Sequence, residues 1–164
     1  MKEGNPIRIM FVCLGNICRS PAAEGIMKSL VEKEGLDGKI VLDSAGTGSW
    51  HVGDLPDKRM RMHGAKRNYN FCTRAQQFIT EDFDKYDLIV VMDDSNYTNV
   101  KSLAVTQEHV NKIHRMREFL KKYPYDHIPD PYYTGDSGFE LVLDLLEDGC
   151  QGLLEYIKKE YSQI

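Results

Sequence analysis

Two short stretches limit what this chain can fold into: residues 7–12, apolar apart from Arg8, and residues 88–92, Leu-Ile-Val-Val-Met without a break. A strand with one face in water alternates polar and apolar residues, whereas a strand covered on both faces has no reason to. Both stretches therefore predict central strands of a parallel sheet with helices packed on either side. Behind the first, Ala23, Ile26, Met27, Leu30 and Val31 recur at helical spacing, with Pro21 suited to the first helical position and Gly35 ending the helix. A short strand follows at residues 40–42, running into Asp43-Ser44-Ala45-Gly46, which completes a right-handed βαβ unit.

Further along, residues 57–63 read as a short helix stopped by Gly64, and Thr80 as the cap of another that opens on Glu81-Asp82-Phe83. The basic and polar segment 65–78 has no periodicity that places it. A helix is expected to start at Asp93-Asp94-Ser95-Asn96, and residues 110–116 hold a weaker fourth strand around Ile113. Residues 123–133 contain three prolines and are irregular. From Ser137 a long helix carries Phe139, Val142, Leu146, Leu153 and Ile157 on one stripe, its propensity lowered at Gly149 and Gly152. Strands alternating with helices predict one α/β domain over residues 1–164, a doubly wound sheet of about four parallel strands.

The composition agrees with that plan and excludes others. A chain of 164 residues, 41% hydrophobic, can bury one full-sized core. A net charge of −4 argues against a general nucleic-acid binder, and no segment approaches the length of a membrane span. The start is polar and the apolar run after it short, unlike a signal peptide. Four cysteines are too few for a disulfide scaffold, and no Cys-x2-Cys or His-x3-His pair suggests a metal. These features predict a cytoplasmic protein with reduced thiols, without nucleic-acid or membrane partners.

The first strand leads straight into Cys13-Leu14-Gly15-Asn16-Ile17-Cys18-Arg19-Ser20, with the helix behind it. A thiol in that place faces the free amides of a first helical turn and the positive end of the helix dipole, both of which stabilise an anion. They should hold Cys13 as thiolate, the nucleophilic form. The loop amides from Leu14 to Cys18, with Arg19, can surround a dianionic phosphate, the planar guanidinium binding two oxygens at once. Ser20 can donate its hydroxyl to the sulfur when Cys13 becomes a leaving group. Gly15 supplies backbone freedom, and Asn16 tolerates a left-handed conformation. A bare Cys-x5-Arg spacing is a weak signal, and the surrounding strand, Gly, Asn, Ser and Pro give it weight.

By the same topology Cys13, Ser44 and Asp93 follow strand ends and converge at the carboxyl edge of the sheet, where α/β proteins bind ligands. Asp130, stiffened by Pro129 and Pro131 and followed by Tyr132 and Tyr133, is the best candidate for a proton donor. Trp50, in the polar loop over residues 46–56, reads equally as a loop anchor or as a wall beside the site.

The stretch from Cys13 to Ser20 resembles the active-site signature of the low-molecular-weight protein tyrosine phosphatases. Asp130-Pro131-Tyr132-Tyr133, followed by Asp136-Ser137-Gly138-Phe139-Glu140, is similar to that family's general-acid loop. Asp43-Ser44-Ala45-Gly46 and Met92-Asp93-Asp94-Ser95-Asn96 resemble further landmarks in the same order, so the resemblance runs from about Ile7 into the final helix. It implies hydrolysis of phosphotyrosine on a protein substrate through a phosphocysteine at Cys13. Arg19 and the loop amides would bind phosphate, and Asp130 would act as acid and then base. Inorganic phosphate is the implied product and inhibitor, no cofactor or metal is implied, and Ser44 and Ser20 belong to a polar network that holds Asn16 left-handed. Ile17, Trp50, Tyr132 and Tyr133 would form a deep apolar slot for a phenyl ring. One departure stands out: where relatives often carry a histidine on that network, this chain has Phe71-Cys72-Thr73-Arg74.

Other chemistries share such a scaffold. A thiol-dependent arsenate reductase needs two further cysteines close together, whereas here only Cys72 lies mid-chain and Cys150 is far away. An arginine-phosphate phosphatase typically has a small polar residue where this chain has Ile17. A non-catalytic phosphotyrosine-binding module would lack the nucleophile or the acid. A redox sensor built on Cys13 with Cys18 as partner is better regarded as regulation added to an enzyme.

Overall fold

The computed structural model describes residues 4–161; the first three residues of the polar start, and the last three of the chain, lie outside the described residues. Four strands, β1 (Ile7–Cys13), β2 (Ile40–Gly46), β3 (Leu88–Val91) and β4 (Ile113–Arg115), form one sheet in the order β2-β1-β3-β4, every pair parallel. Among the described residues six helices accompany them: α1 (Arg19–Lys33), α2 (Lys58–Ala65), α3 (Asp82–Lys85), α4 (Asp94–Lys101), α5 (Gln107–Asn111) and α6 (Asp136–Glu160), with 3₁₀ turns at Met116–Phe119 and Pro131–Tyr133.

The two-residue period of the strands sorts their side chains between two cores. Ile7, Ile9 and Phe11 of β1, with Leu88 and Val90 of β3, pack against α1 and α6 on one face. Met10, Val12, Ile89 and Val91 pack on the other face against Phe78, Phe83 and Val100. In β1 only Arg8 is exposed. The chain leaves β1 toward β2 on one side and later returns to β3 on the other. The end of β1 thus lies at the switch point, where a parallel sheet opens a crevice for ligands.

Several boundaries differ from the sequence expectation, each for a local reason. Helix α1 begins at Arg19, so Pro21 is its third residue rather than its first; a first-turn amide has no partner within the helix, so its loss costs little there. The end is as expected. Gly35 (φ +70°) closes the helix, with bonds from the Gly35 amide to the Glu32 carbonyl (3.1 Å) and from the Leu36 amide to that of Val31 (2.9 Å). Strand β2 runs on through Asp43-Ser44-Ala45-Gly46, because its polar side chains find partners: the Tyr86 hydroxyl donates to Asp43 (2.7 Å) and Ser44 donates to Glu24 (2.6 Å). Asp57 caps α2, which extends one residue past Gly64. Thr80 does not cap α3; its hydroxyl donates to the Leu103 carbonyl instead. Val110 belongs to α5, which leaves only three residues for β4.

Of the unplaced segment 65–78, Ala65 ends α2 and residues 66–68 form a turn; the irregular chain after it buries Phe71 and joins the edge of the sheet at one bridge, Gln77 to Gly46. In α6 the two glycines serve packing. A Cβ on Gly152 would stand 1.9 Å from the Phe119 carbonyl oxygen, and one on Gly149 2.6 Å from Met116 Sδ, so the helix lies directly against the 3₁₀ turn at Met116–Phe119.

Candidate active site

The loop between β1 and α1 is shaped from outside. The amides of Thr47 and Gly48 donate to the carbonyls of Cys13 and Leu14 (both 2.9 Å), and the Asp57 amide donates to that of Ile17 (2.8 Å). Asn16 sits in the left-handed region at φ +57°, accepting from the Gln76 amide (3.0 Å) and donating through Nδ2 to Ser20 Oγ (2.7 Å). With the carbonyls turned outward, the amides of Gly15, Asn16, Ile17 and Cys18 have no acceptor among the described residues. Gly46 allows the close fit: a Cβ there would meet the Leu14 carbonyl oxygen at 2.8 Å and the Asn16 nitrogen at 3.0 Å.

Cys13 ends β1 with its sulfur 3.0 Å from Ser20 Oγ and 3.4 Å from the Ser20 amide, which donates to it. Arg19 is 2% exposed and held on two sides, donating to Asp93 Oδ2 (2.6 Å) and to the Ile128 carbonyl (3.0 Å). Burial works against its charge, but the Cys13 sulfur, the Asp93 hydrogen bond and the charges of Asp93 and Asp130 outweigh it. They raise the guanidinium above the usual arginine range. Asp93 also caps α4 by accepting from the Asn96 amide (2.7 Å), so both its oxygens are engaged. Asp130 approaches the same guanidinium at 3.7 Å through Oδ2, while Oδ1 accepts from the Tyr132 amide at the start of the 3₁₀ turn. Its partly exposed carboxylate thus stands over the mouth of the loop.

A pocket of about 180 Å³ opens onto these groups, lined at depth by Cys13, Ile17, Cys18 and Arg19. Trp50, Tyr132 and Tyr133 all line it, but as a rim rather than as deep walls. Trp50 is 72% exposed and lies over Gly48, and Tyr133 is 92% exposed. Trp50 is therefore not a tucked loop anchor. His51, which the sequence did not single out, also lines the pocket, paired with Asp54 (3.2 Å).

Ser44 joins the network around Asn16 and Ser20 at one remove. Its hydroxyl donates to Glu24, and its carbonyl accepts from Gln76 Nε2 (2.9 Å), so it reaches Asn16 only through Gln76. Thr73 donates to the other oxygen of Glu24 (3.0 Å). Burial raises the Glu24 pKa, with the hydrogen bonds from Ser44 and Thr73 opposing. Nothing in the sequence flagged Glu24; its only signal was a carboxylate among small residues on the inward side of a helix. Cys18 is buried in the loop. Desolvation, with the charges of Asp57, Cys13 and Asp130, pushes its thiol well above the ordinary range. Asp136 lies with Glu140 against His63, its carboxylate 3.1 Å from Nε2.

A parallel α/β sheet whose switch point carries a thiol, a buried arginine and a ring of free amides defines a class of oxyanion-binding protein. Within it, this chain belongs to the low molecular weight phosphotyrosine protein phosphatases: the sequence model of that family matches residues 8–163. A putative low molecular weight protein-tyrosine-phosphatase of Synechocystis is 49% identical over 94% of this chain and 98% of its own. The low molecular weight protein-tyrosine-phosphatase YfkJ of Bacillus subtilis is 41% identical over 94% of this chain and 97% of its own. A crystal structure of a protein tyrosine phosphatase from Entamoeba histolytica, with Hepes in the active site, superposes with a TM-score of 0.91. It is 40% identical and covers 93% of this chain and 97% of that one. The family is one of phosphoric monoester hydrolases, and the four-stranded parallel sheet expected from the sequence is its fold.

Proposed function

We propose that the chain hydrolyses phosphotyrosine on protein substrates through a phosphocysteine at Cys13. The observation that carries this is the joint placement of Cys13 Sγ, the Arg19 guanidinium and the free loop amides, with Asp130 at the mouth. Arg19 and the amides bind the phosphoryl oxygens and stabilise the charge that spreads over them in the transition state, so no metal is required. The Cys13 sulfur bonds to phosphorus as the phenolic oxygen leaves, and that oxygen takes a proton from Asp130. In the second step a water attacks phosphorus and gives its proton to Asp130. The sulfur then departs as a thiolate, with Ser20 Oγ at 3.0 Å to receive it. Inorganic phosphate is the product and, by occupying the same loop, an inhibitor.

A phenyl ring would pass the aromatic rim and reach Ile17, contacts that the short side chain of phosphoserine does not make. Ile17 also supports this reading over arginine-phosphate hydrolysis. The cysteines give no support to arsenate reduction: Cys72 is exposed, and Cys150 is buried in α6 with its sulfur on the Ala23 carbonyl. Unpaired thiols fit a reducing compartment such as the cytoplasm. Cys18 is the proposed redox partner: a Cys13 sulfenic acid and the Cys18 thiol would condense to a disulfide with loss of water. Peroxide treatment followed by peptide mapping should find that pair. A Cys13–Cys72 link, or none, would end the idea.

The acid assignment is tested by leaving-group dependence. Phenyl phosphate and phosphotyrosine expel basic phenolates, whereas a nitrophenolate leaves unaided. Asp130→Ala should lower kcat/KM for the first two by about 10²–10⁴-fold and for the nitrophenyl ester by much less. Parallel losses on all three would rule Asp130 out as the acid.

A further inference from the structure

Beside the catalytic pocket runs a second, shallower groove of about 620 Å³, and Leu14 and Trp50 belong to the walls of both. Beyond that shared partition its lining includes Ile79 and Leu103, large apolar side chains that are 44% and 36% exposed. Single exposed apolar residues are ordinary, but four lining one groove that shares a wall with the catalytic pocket are not. Gln77 also lines the groove. The Gly46 amide donates to the Gln76 carbonyl (2.8 Å), and the Gly46 carbonyl accepts from Phe78 (2.7 Å). In a parallel bridge this turns the N–H and C=O of Gln77 away from β2, and neither has a backbone partner among the described residues.

We propose that this groove receives the extended chain of the substrate on one side of its phosphotyrosine. The substrate backbone pairs with Gln77, and an apolar side chain packs on Ile79 and Leu103. The proposal rests on the phosphotyrosine reading and deepens it to a sequence preference. An unpaired main-chain donor and acceptor beside exposed apolar side chains is the arrangement that recognises an added strand rather than a small apolar molecule. The sign of the charge agrees: Glu81 stands in the groove wall, so an acidic side chain placed there is repelled.

The test uses matched phosphotyrosyl peptides carrying Leu or Asp in turn at each position flanking the phosphotyrosine, with p-nitrophenyl phosphate as a substrate that cannot reach the groove. On one side only, Leu should be preferred by about tenfold in kcat/KM. Ile79→Lys and Leu103→Lys should each abolish that preference and raise kcat/KM for the Asp peptide, with p-nitrophenyl phosphate constants unchanged. Variants that keep the parent's peptide selectivity while hydrolysing p-nitrophenyl phosphate normally would overturn the proposal alone. A parent that hydrolyses no aryl phosphate would overturn the phosphatase reading beneath it. Self-association of the parent, broken by Leu103→Lys, would assign the groove to a second copy and so also overturn the proposal.

Discussion

Glu24 shows at the scale of one residue how the site is braced from below. Its side chain is buried, and it takes both its close hydrogen bonds from hydroxyls, Ser44 and Thr73, with no ion pair among the described residues. Burial raises its pKa in the folded state. A carboxyl group with a raised folded value favours the fold fully below its unfolded pKa of about 4.3, and that contribution is lost as pH rises through the raised value. Glu24→Gln keeps the shape and cannot titrate, so the parent should lose stability relative to the variant between pH 4 and the neutral range. Urea melts of both proteins across that range measure the difference, and parallel curves would show that Glu24 does not titrate as argued. Neither Glu24 nor Gln76 was legible in the sequence, because their roles depend on which loop comes to rest against the helix. Cys13, Asn16, Arg19 and Ser20 were legible because they share one short loop, whose covalent spacing fixes which groups can meet.

The elements divide the same way between what local pattern carries and what tertiary contact decides. Strands β1 and β3 and the stripe of α6 follow from runs and periods that only one environment satisfies. The extension of β2 through Asp43 and Ser44 did not, since it depends on Tyr86 and Glu24 arriving from elsewhere. Helix α6 carries the sharpest conflict. By intrinsic propensity Gly152→Ala should gain about 1 kcal/mol. The added Cβ would, however, lie 1.9 Å from the Phe119 backbone oxygen, and a backbone group cannot swing aside. Overpacking costs about 1–3 kcal/mol and occasionally more, so the substitution should lower Tm by a few degrees despite the better propensity. Gly149→Ala meets the flexible Met116 sulfur at 2.6 Å and should cost less. Thermal melts of the two variants side by side decide it; a higher Tm for Gly152→Ala would mean that α6 can move off the 3₁₀ turn freely.

Across the whole molecule the loop between β1 and α1 is tied to every layer. Asn16 is held by segment 65–78, Arg19 by Asp93 after β3 and by the Ile128 carbonyl, and Gly46 of β2 leaves room for the loop backbone. A ligand that binds such a loop in the folded state only must stabilise the entire domain. Phosphate at one hundred times its dissociation constant should add about 2.7 kcal/mol, which for a chain of this size corresponds to a rise in Tm of about 5–10 °C. Arg19→Ala removes the buried guanidinium and leaves Asp93 facing the site without its partner, so an arriving dianion meets a carboxylate in place of a cation. That variant should be less stable than the parent and should lose nearly all of the phosphate-induced rise. Cys13→Ser removes the proposed nucleophile but keeps the amides and Arg19, and should retain most of it while hydrolysing nothing. The measurement is a phosphate titration of Tm on the three proteins, with chloride at matched ionic strength as the control. A rise in Arg19→Ala equal to the parent's would place phosphate outside this loop. A rise lost in Cys13→Ser as well would mean that the sulfur, rather than the amides and guanidinium, holds the anion.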